Sequence, residues 1–413
     1  MTRQFSRPNK ELKCVLLEGI HSNAVQSLSQ AGFEQIEQIP TALAGPALAE
    51  AVADAHFLGI RSRTQVSAEV LASSPQLRAV GCFCIGVNQV ALDAAKLGGI
   101  PVFNAPFSNT RSVAELVVAE AIMLLRDIPQ KNADAHRGKW TKSATGAHEV
   151  RGKALGILGY GHIGSQVGVL AESLGMRVFF YDVEPKLALG NATQVPNLPA
   201  LLRAVDVVTL HVPESPATRG MFGAQEIGYM RDGASVINAS RGNVVDVDAL
   251  VAALDAGKLS GAALDVFPEE PASNDVVFDS PLRRFHNVIL TPHVGGSTVE
   301  AQASIGYEVA EKLVRFSNTG ATLGAVNFPQ VSLPAHRGTY RLLHIHRNQP
   351  GILAAVNAVF SARGINIQGE SLQTDPAVGY AVVDFDIEQG FDLEQLEALK
   401  RIDGTLRAQI LTR

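Results

Sequence analysis

Residues 155–168 read LGILGYGHIGSQVG, and this stretch limits the fold more than any other. An apolar run meets Gly159, Gly161 and Gly164 in G-x-G-x-x-G spacing, and a helical pattern follows. In such a place the first glycine makes a tight turn, the second lets a ligand approach the backbone, and the third packs helix on strand. The helix N-terminus offers free N–H groups and a positive dipole to an anion. The next apolar run ends at Asp182, 23 residues after Gly159. A carboxylate there accepts from both hydroxyls of an adenosine ribose and repels a 2′-phosphate. No arginine follows in YDVEPK. The pattern predicts a dinucleotide site that takes NAD rather than NADP.

Short apolar runs alternate with helical segments on both sides of this motif. KCVLLEG, HFLGIRS, RAVGCF and PVFNAP precede it, while MRVFFYD, DVVTLHV, ASVINAS, GAALDV and NVILTPH follow. That alternation is the signature of parallel sheets built from βαβ units. A long helix is expected from about Ser112, with Ser112 and Glu115 as a capping box. Another is expected over about 297–317. The tail reads differently, with strand YRLLHIHR, helix PGILAAVNAVFSAR, strand INIQGESLQ, turn DPAVG, strand YAVVDFDI, helix LEQLEALKRI and strand LRAQILT. Its βαββαβ order is ferredoxin-like. The expected fold class is therefore α/β: two Rossmann-like or flavodoxin-like parallel-sheet domains, then a small C-terminal module. A discontinuous lobe of residues 1–108 and 297–335 should flank a cofactor domain of residues 109–296, with the module at 339–413.

Composition narrows the function classes. The 413 residues are 46% hydrophobic and 18% charged, with net charge −5. This suits folded domains and argues against nucleic acid as the main partner. No apolar run is long enough to cross a bilayer. MTRQFSRPNK lacks an apolar signal core, so a soluble, cytoplasmic chain is expected, with no membrane partner. The three cysteines, Cys14, Cys82 and Cys84, read as small packing residues.

Three stretches after later strands carry chemistry. NASRG places Arg241, LDVFPEEP places Glu270, and LTPHVGG places His293. Open α/β sheets bind ligands at the carboxyl ends of their strands. Hydride transfer between NAD and a hydroxy acid needs a base for the hydroxyl proton, a carboxylate that orients the base, and a cation for the substrate. His, Glu and Arg suit those roles. Each alone reads more readily as a structural or solvent-facing group; the dinucleotide motif links them.

With these stretches and FNAPFSNTRSVAEL and RSRT, the sequence resembles the D-isomer-specific 2-hydroxyacid dehydrogenases over nearly its whole length. The resemblance implies His293 as acid/base, Glu270 as its partner and Arg241 as substrate anchor. It further implies NAD contacts from His162, Ile163, Asp182, Ala239, Ser240, Asp265, His293, Val294, Gly295 and Gly296, beside the three glycines. The branch it points to oxidises 3-phosphoglycerate to 3-phosphohydroxypyruvate, the entry to serine synthesis. It also implies a site in the cleft between lobes and a homotetramer. Arg61, Ser62 and Arg63 in GIRSRTQ, with Asn109 and Lys142, are the candidate phosphate ligands. Arg61 and Arg63 would share one side of extended backbone.

The terminal module resembles an ACT domain, an amino-acid sensor. By resemblance His346, Asn348 and Asn366 are L-serine ligands, at an interface between two modules. His344 and His346 share a strand face, but the scattered acids around them give no metal site. Proposed moving parts are the linker near Gly338 and the Gly295-Gly296 pair. HRGT replaces a glycine pair in the linker, and Arg347 adds charge to the sensor motif, so inhibition strength stays open. Two other readings remain. One is another D-2-hydroxyacid dehydrogenase such as a glyoxylate/hydroxypyruvate reductase; the other is an NAD-sensing, non-enzymatic binding protein.

Overall fold

A computed structural model describes residues 7–271, 275–335, 340–386 and 391–412. Two compact units emerge: residues 1–108 with 302–413, and residues 109–301. The proposed hinge at Gly338 lies outside the described residues.

The first unit opens with a parallel sheet of β1 (Lys13–Leu16), β2 (Gln35–Gln38), β3 (Phe57–Ile60), β4 (Ala79–Cys82) and β5 (Val102–Asn104), in the order β2-β1-β3-β4-β5. Four of these are the expected apolar runs. β2 reads QIEQ and no residue in it is buried, because it forms the sheet edge. Its sequence therefore lacks the apolar signal of a central strand.

The second unit holds β6 (Ala154–Leu158), β7 (Arg177–Tyr181), β8 (Thr193–Gln194), β9 (Val207–Leu210), β10 (Ala234–Asn238), β11 (Leu259–Leu264) and β12 (Val288–Leu290). The order is β12-β11-β10-β9-β6-β7-β8, and every pair is parallel. The chain winds outward both ways from β6, so the C-terminal strand ends form one ligand-binding edge.

The long helix of this unit spans Thr110–Arg126 and begins before Ser112. The expected capping box does not form. Ser112 Oγ instead donates to Gly295 O at 2.6 Å, and Glu115 pairs with Arg111. A nearby loop carbonyl thus takes the hydroxyl that would otherwise cap the helix.

The C-terminal module has β13 (Tyr340–Arg347), β14 (Ile367–Thr374), β15 (Val378–Phe385) and β16 (Thr405–Thr412), antiparallel in the order β14-β15-β13-β16. Helices Ile352–Ser361 and Leu393–Lys400 cover one face through Leu342, Ile352, Val356, Phe360, Leu396 and Ile410. Leu343, Ile345, Tyr380, Val382 and Leu411 enter the core of the first lobe with Phe57, Phe103 and Phe316. Both faces are buried, which is why β13 is apolar at both parities.

Polar contacts fix this docking. Arg341, 1% exposed, grips both oxygens of Asp384 at 2.6 and 2.7 Å and donates to Thr319 O and Pro334 O. Tyr380 Oη donates to Gly320 O at 2.6 Å, and Lys96 pairs with Asp375 at 2.8 Å.

Candidate active site

The glycine motif has the geometry its spacing implies. Gly159 has φ +90°, and a Cβ there would lie 2.4 Å from His211 O. A Cβ at Gly164 would lie 2.2 Å from Gly159 O, so helix His162–Ser173 can only pack this closely on glycine. Gly161 differs, since its Cβ would meet nothing within 4 Å. That open space borders the helix N-terminus, where His162 and Ile163 begin the first turn. Asp182 follows β7 and accepts from Tyr160 N at 2.8 Å and Glu184 N at 3.0 Å. Its carboxylate is held at the motif with acceptor capacity to spare. These residues fit a dinucleotide.

The three chemistry-bearing stretches follow the adjacent strands β10, β11 and β12. After β10, Asn238 Oδ1 accepts from Ser240 N and Ser240 Oγ, and its Nδ2 donates to Arg241 O at 3.0 Å. One asparagine thus shapes Ala239–Arg241. The chain then passes so close to the β11 loop that a Cβ at Gly242 would overlap Phe267 at 2.0 Å. Neither Asn238 nor Gly242 stood out in the sequence, although both lie in the INASRG motif.

Asp265 closes β11 and is 2% exposed. It accepts from Thr291 Oγ1 at 2.6 Å, Val294 N at 2.8 Å and Gly295 N at 2.8 Å. Three donors to one buried carboxylate tie the β12 loop in place. This loop holds His293 at φ 53°, a left-handed conformation uncommon outside glycine. A Cβ at Gly295 would lie 2.9 Å from Asp265 Oδ2, and one at Gly296 would lie 2.4 Å from Asn109 Nδ2. The glycine pair is therefore a place of close approach.

His293 Nδ1 meets Glu270 Oε2 at 2.9 Å and Oε1 at 3.1 Å. Glu270 Oε1 also accepts from Phe267 N at 3.2 Å. The carboxylate requires the proton on Nδ1, which leaves Nε2 as the atom able to take a proton. The Glu270 hydrogen bond, partly opposed by burial, raises the imidazole above its ordinary 6.5, and the charges of Glu270 and Asp265 add to this. Burial raises Glu270, but its bond and charge contact with His293 outweigh that and hold it below its ordinary range. Arg241 adds a positive charge felt by both groups. Its own Nη1 donates to Ser240 O at 2.7 Å. Base, orienting carboxylate and cation thus share one strand-end edge.

In the first unit, Arg61, Ser62 and Arg63 follow β3 in a bend rather than in extended backbone. Glu18 is the reason. Its buried carboxylate accepts from Arg61 N at 3.1 Å, Arg63 N at 3.0 Å and Thr64 N at 2.9 Å. Alternation does not apply to that bend. Gln89 Nε2 donates to Arg61 O at 2.7 Å. Glu18 had a signal, as an acid closing the apolar run CVLLEG. Asn109, 9% exposed, and Lys142, exposed, belong to the other unit.

The sensor residues do not come together within one chain. His346, 4% exposed, lies near the end of β13 beside His344, with Nδ1 atoms 3.2 Å apart. Burial, then the neighbouring His346, pushes His344 down to about 4. Asn348 follows and donates to Asp375 O at 2.7 Å. Asn366 precedes β14, whose Ile367 pairs with Phe385, and Phe385 pairs with Tyr340. It therefore lies at the opposite end of the sheet, roughly 20 Å away at about 3.3 Å per residue.

Comparison with known proteins gives a consistent result. Residues 118–295 match the family described as D-isomer specific 2-hydroxyacid dehydrogenase, NAD binding domain. Residues 342–407 match the AHAS small subunit-like ACT domain. The chain is 58% identical over 411 residues to a D-3-phosphoglycerate dehydrogenase of Haemophilus influenzae, covering 100% of both chains. It is 57% identical over 408 residues to the protein of that name in Escherichia coli strain K12, covering 99% of both. Among solved structures, a D-lactate dehydrogenase from Aquifex aeolicus with NAD and lactic acid aligns at TM-score 0.65 and 26% identity. That match covers 77% of this chain and 100% of the other.

Proposed function

Because the chain belongs to the D-isomer specific 2-hydroxyacid dehydrogenases, NAD-dependent enzymes, we propose that it oxidises 3-phospho-D-glycerate to 3-phosphohydroxypyruvate in the cytoplasm. The observation that carries the chemistry is the bidentate Glu270–His293 contact beside Arg241. His293 Nε2 takes the C2 hydroxyl proton as the oxidised carbon forms, and Glu270 stabilises the resulting imidazolium. Arg241 holds the substrate carboxylate through its guanidinium. NAD, when bound, would supply the hydride acceptor for C2. Gly159, Gly161, His162, Ile163 and Gly164 would hold its pyrophosphate, and Asp182 its ribose. Ala239, Ser240, Asp265 and the Val294–Gly296 backbone would shape the nicotinamide side.

Arg61, Ser62 and Arg63 are assigned to the substrate phosphate, with Glu18 holding their backbone. Asn109 and Lys142 are proposed to assist. Arg61→Ala should raise KM for 3-phosphoglycerate far more than for an unphosphorylated 2-hydroxy acid such as D-lactate. An equal rise for both would remove Arg61 from phosphate recognition.

The ACT module points to a small-molecule effector, and we assign it L-serine through His346, Asn348 and Asn366. The separation of Asn366 from the other two favours a site completed by a second copy, within a homotetramer. A mass measurement showing an active monomer that serine still inhibits would contradict that arrangement.

A further inference from the structure

Three arginines gather on the first unit, where the opening lobe meets the C-terminal sheet. Arg407 on β16 donates Nη1 to Leu77 O at 2.6 Å and Nη2 to Pro75 O at 3.3 Å. Arg7 Nη1 lies 3.1 Å from Gln76 Oε1 and 3.0 Å from His56 Nε2. Arg78, between them in sequence, donates its backbone N–H to His56 O at 2.8 Å, while its guanidinium makes no hydrogen bond or ion pair among the described residues. Burial, with repulsion from Arg407 and Arg7, pulls its guanidinium down to about 10. Asp54 is the acid that acts on His56, and Lys13 already binds it at 2.8 Å. Among the described residues, no carboxylate forms an ion pair with Arg7, Arg78 or Arg407.

His56 adds a separate sign that an acceptor belongs here. Its Nδ1 accepts from Lys13 N at 3.1 Å. A neutral imidazole has one acceptor nitrogen, so Nε2 must carry the proton. Nε2–H then faces the Arg7 guanidinium, which can only donate. Protonating the ring would not help, and burial with the nearby arginines pushes its pKa down to about 4. The two nitrogens, 3.0 Å apart and 5% exposed on the histidine side, are thus both donors, and neither accepts from the other.

We infer that Arg7, His56, Arg78 and Arg407 form an anion site for a phosphoryl group. A phosphoryl group presents three acceptor oxygens and about −1.5 to −2 charge. One oxygen satisfies both His56 Nε2–H and Arg7, and another meets Arg78. A planar carboxylate has two oxygens and would serve fewer of these donors. The site is separate from the candidate substrate corner. His56 precedes β3 and Arg61 follows it, so they stand at opposite ends of one strand, about 16 Å apart at about 3.3 Å per residue. Arg407 comes from the ACT module, so occupancy would also strengthen that module's docking.

The test is calorimetric titration of the full-length protein with inorganic pyrophosphate at constant ionic strength. Wild type, Arg78→Gln, Arg7→Gln and Arg61→Ala are compared, with thermal melting as a check on folding. The site predicts that Arg78→Gln and Arg7→Gln each weaken one binding event about tenfold or more, and that Arg61→Ala leaves that event intact. Repeating the titration with 3-phosphoglycerate on the Arg61→Ala protein distinguishes free phosphate compounds from the substrate as the source. Unchanged affinity in Arg78→Gln, loss of all binding in Arg61→Ala, or displacement by chloride at equal ionic strength would each overturn the assignment.

Discussion

Glu270 and His293 set the pH behaviour of the site. The histidine lies above 6.5 because Glu270 bonds its Nδ1, and only its neutral form can take a proton from the substrate. Oxidation should therefore rise with pH through a limb above 6.5. Glu270→Gln should move that limb to lower pH and reduce kcat, as read from the pH profile of kcat/KM. An unmoved limb would separate Glu270 from the base. The same pair carries a stability sign. The raised histidine contributes stability below its unfolded value of about 6.5 and loses it as pH rises through its folded value. The depressed Glu270 contributes above its unfolded value of about 4.3 and loses it as pH falls through its folded value. Their joint contribution is thus greatest between these two unfolded values. Arg241, Glu270 and His293 were legible because each follows an apolar run and family motifs surround them. Their supports were less so: Asn238 and Gly242 act through a turn and a close approach, and Thr291 through a hydroxyl bonded to Asp265, none of which periodicity encodes.

At the scale of elements, two strand-end loops are held by buried carboxylates. Asp265 ties the loop after β12, and Glu18 ties the bend after β3. Glu18→Gln keeps the shape but weakens three charge-assisted contacts. It should raise KM for 3-phosphoglycerate with a smaller change for D-lactate, because the bend that presents Arg61 and Arg63 loosens. Equal changes for both substrates would mean that Glu18 serves general folding. Central strands were readable from their apolar runs. The edge strand β2 was not, since its burial pattern is that of a surface segment. The Ser112 box failed for a related reason: a hydroxyl that matches a local motif was taken by a carbonyl 183 residues away.

Across the whole molecule, the ACT module adds a docked sheet to the first lobe. Arg341 is the polar centre of that contact, buried and shared between Asp384 and two carbonyls. Arg341→Ala leaves Asp384 and those carbonyls without their donor and should cost about 3 kcal/mol, near the lower end for a broken buried pair. Urea unfolding would register this, and inhibition by serine should weaken while turnover persists. Full inhibition with unchanged stability would contradict the role given to this contact. Order and type of the module's elements were legible from its alternating runs. Its burial on the first lobe was not, because a strand apolar at both parities does not reveal what covers its second face.

The most direct measurement is NADH-linked reduction of 3-phosphohydroxypyruvate by wild type and His293→Ala, with and without millimolar L-serine. Turnover that falls about 10²–10⁴-fold in the variant, the usual loss with a general acid/base, and that serine suppresses in wild type is the predicted result. Turnover retained by His293→Ala, or absent from a wild-type protein that binds NADH, would contradict the account.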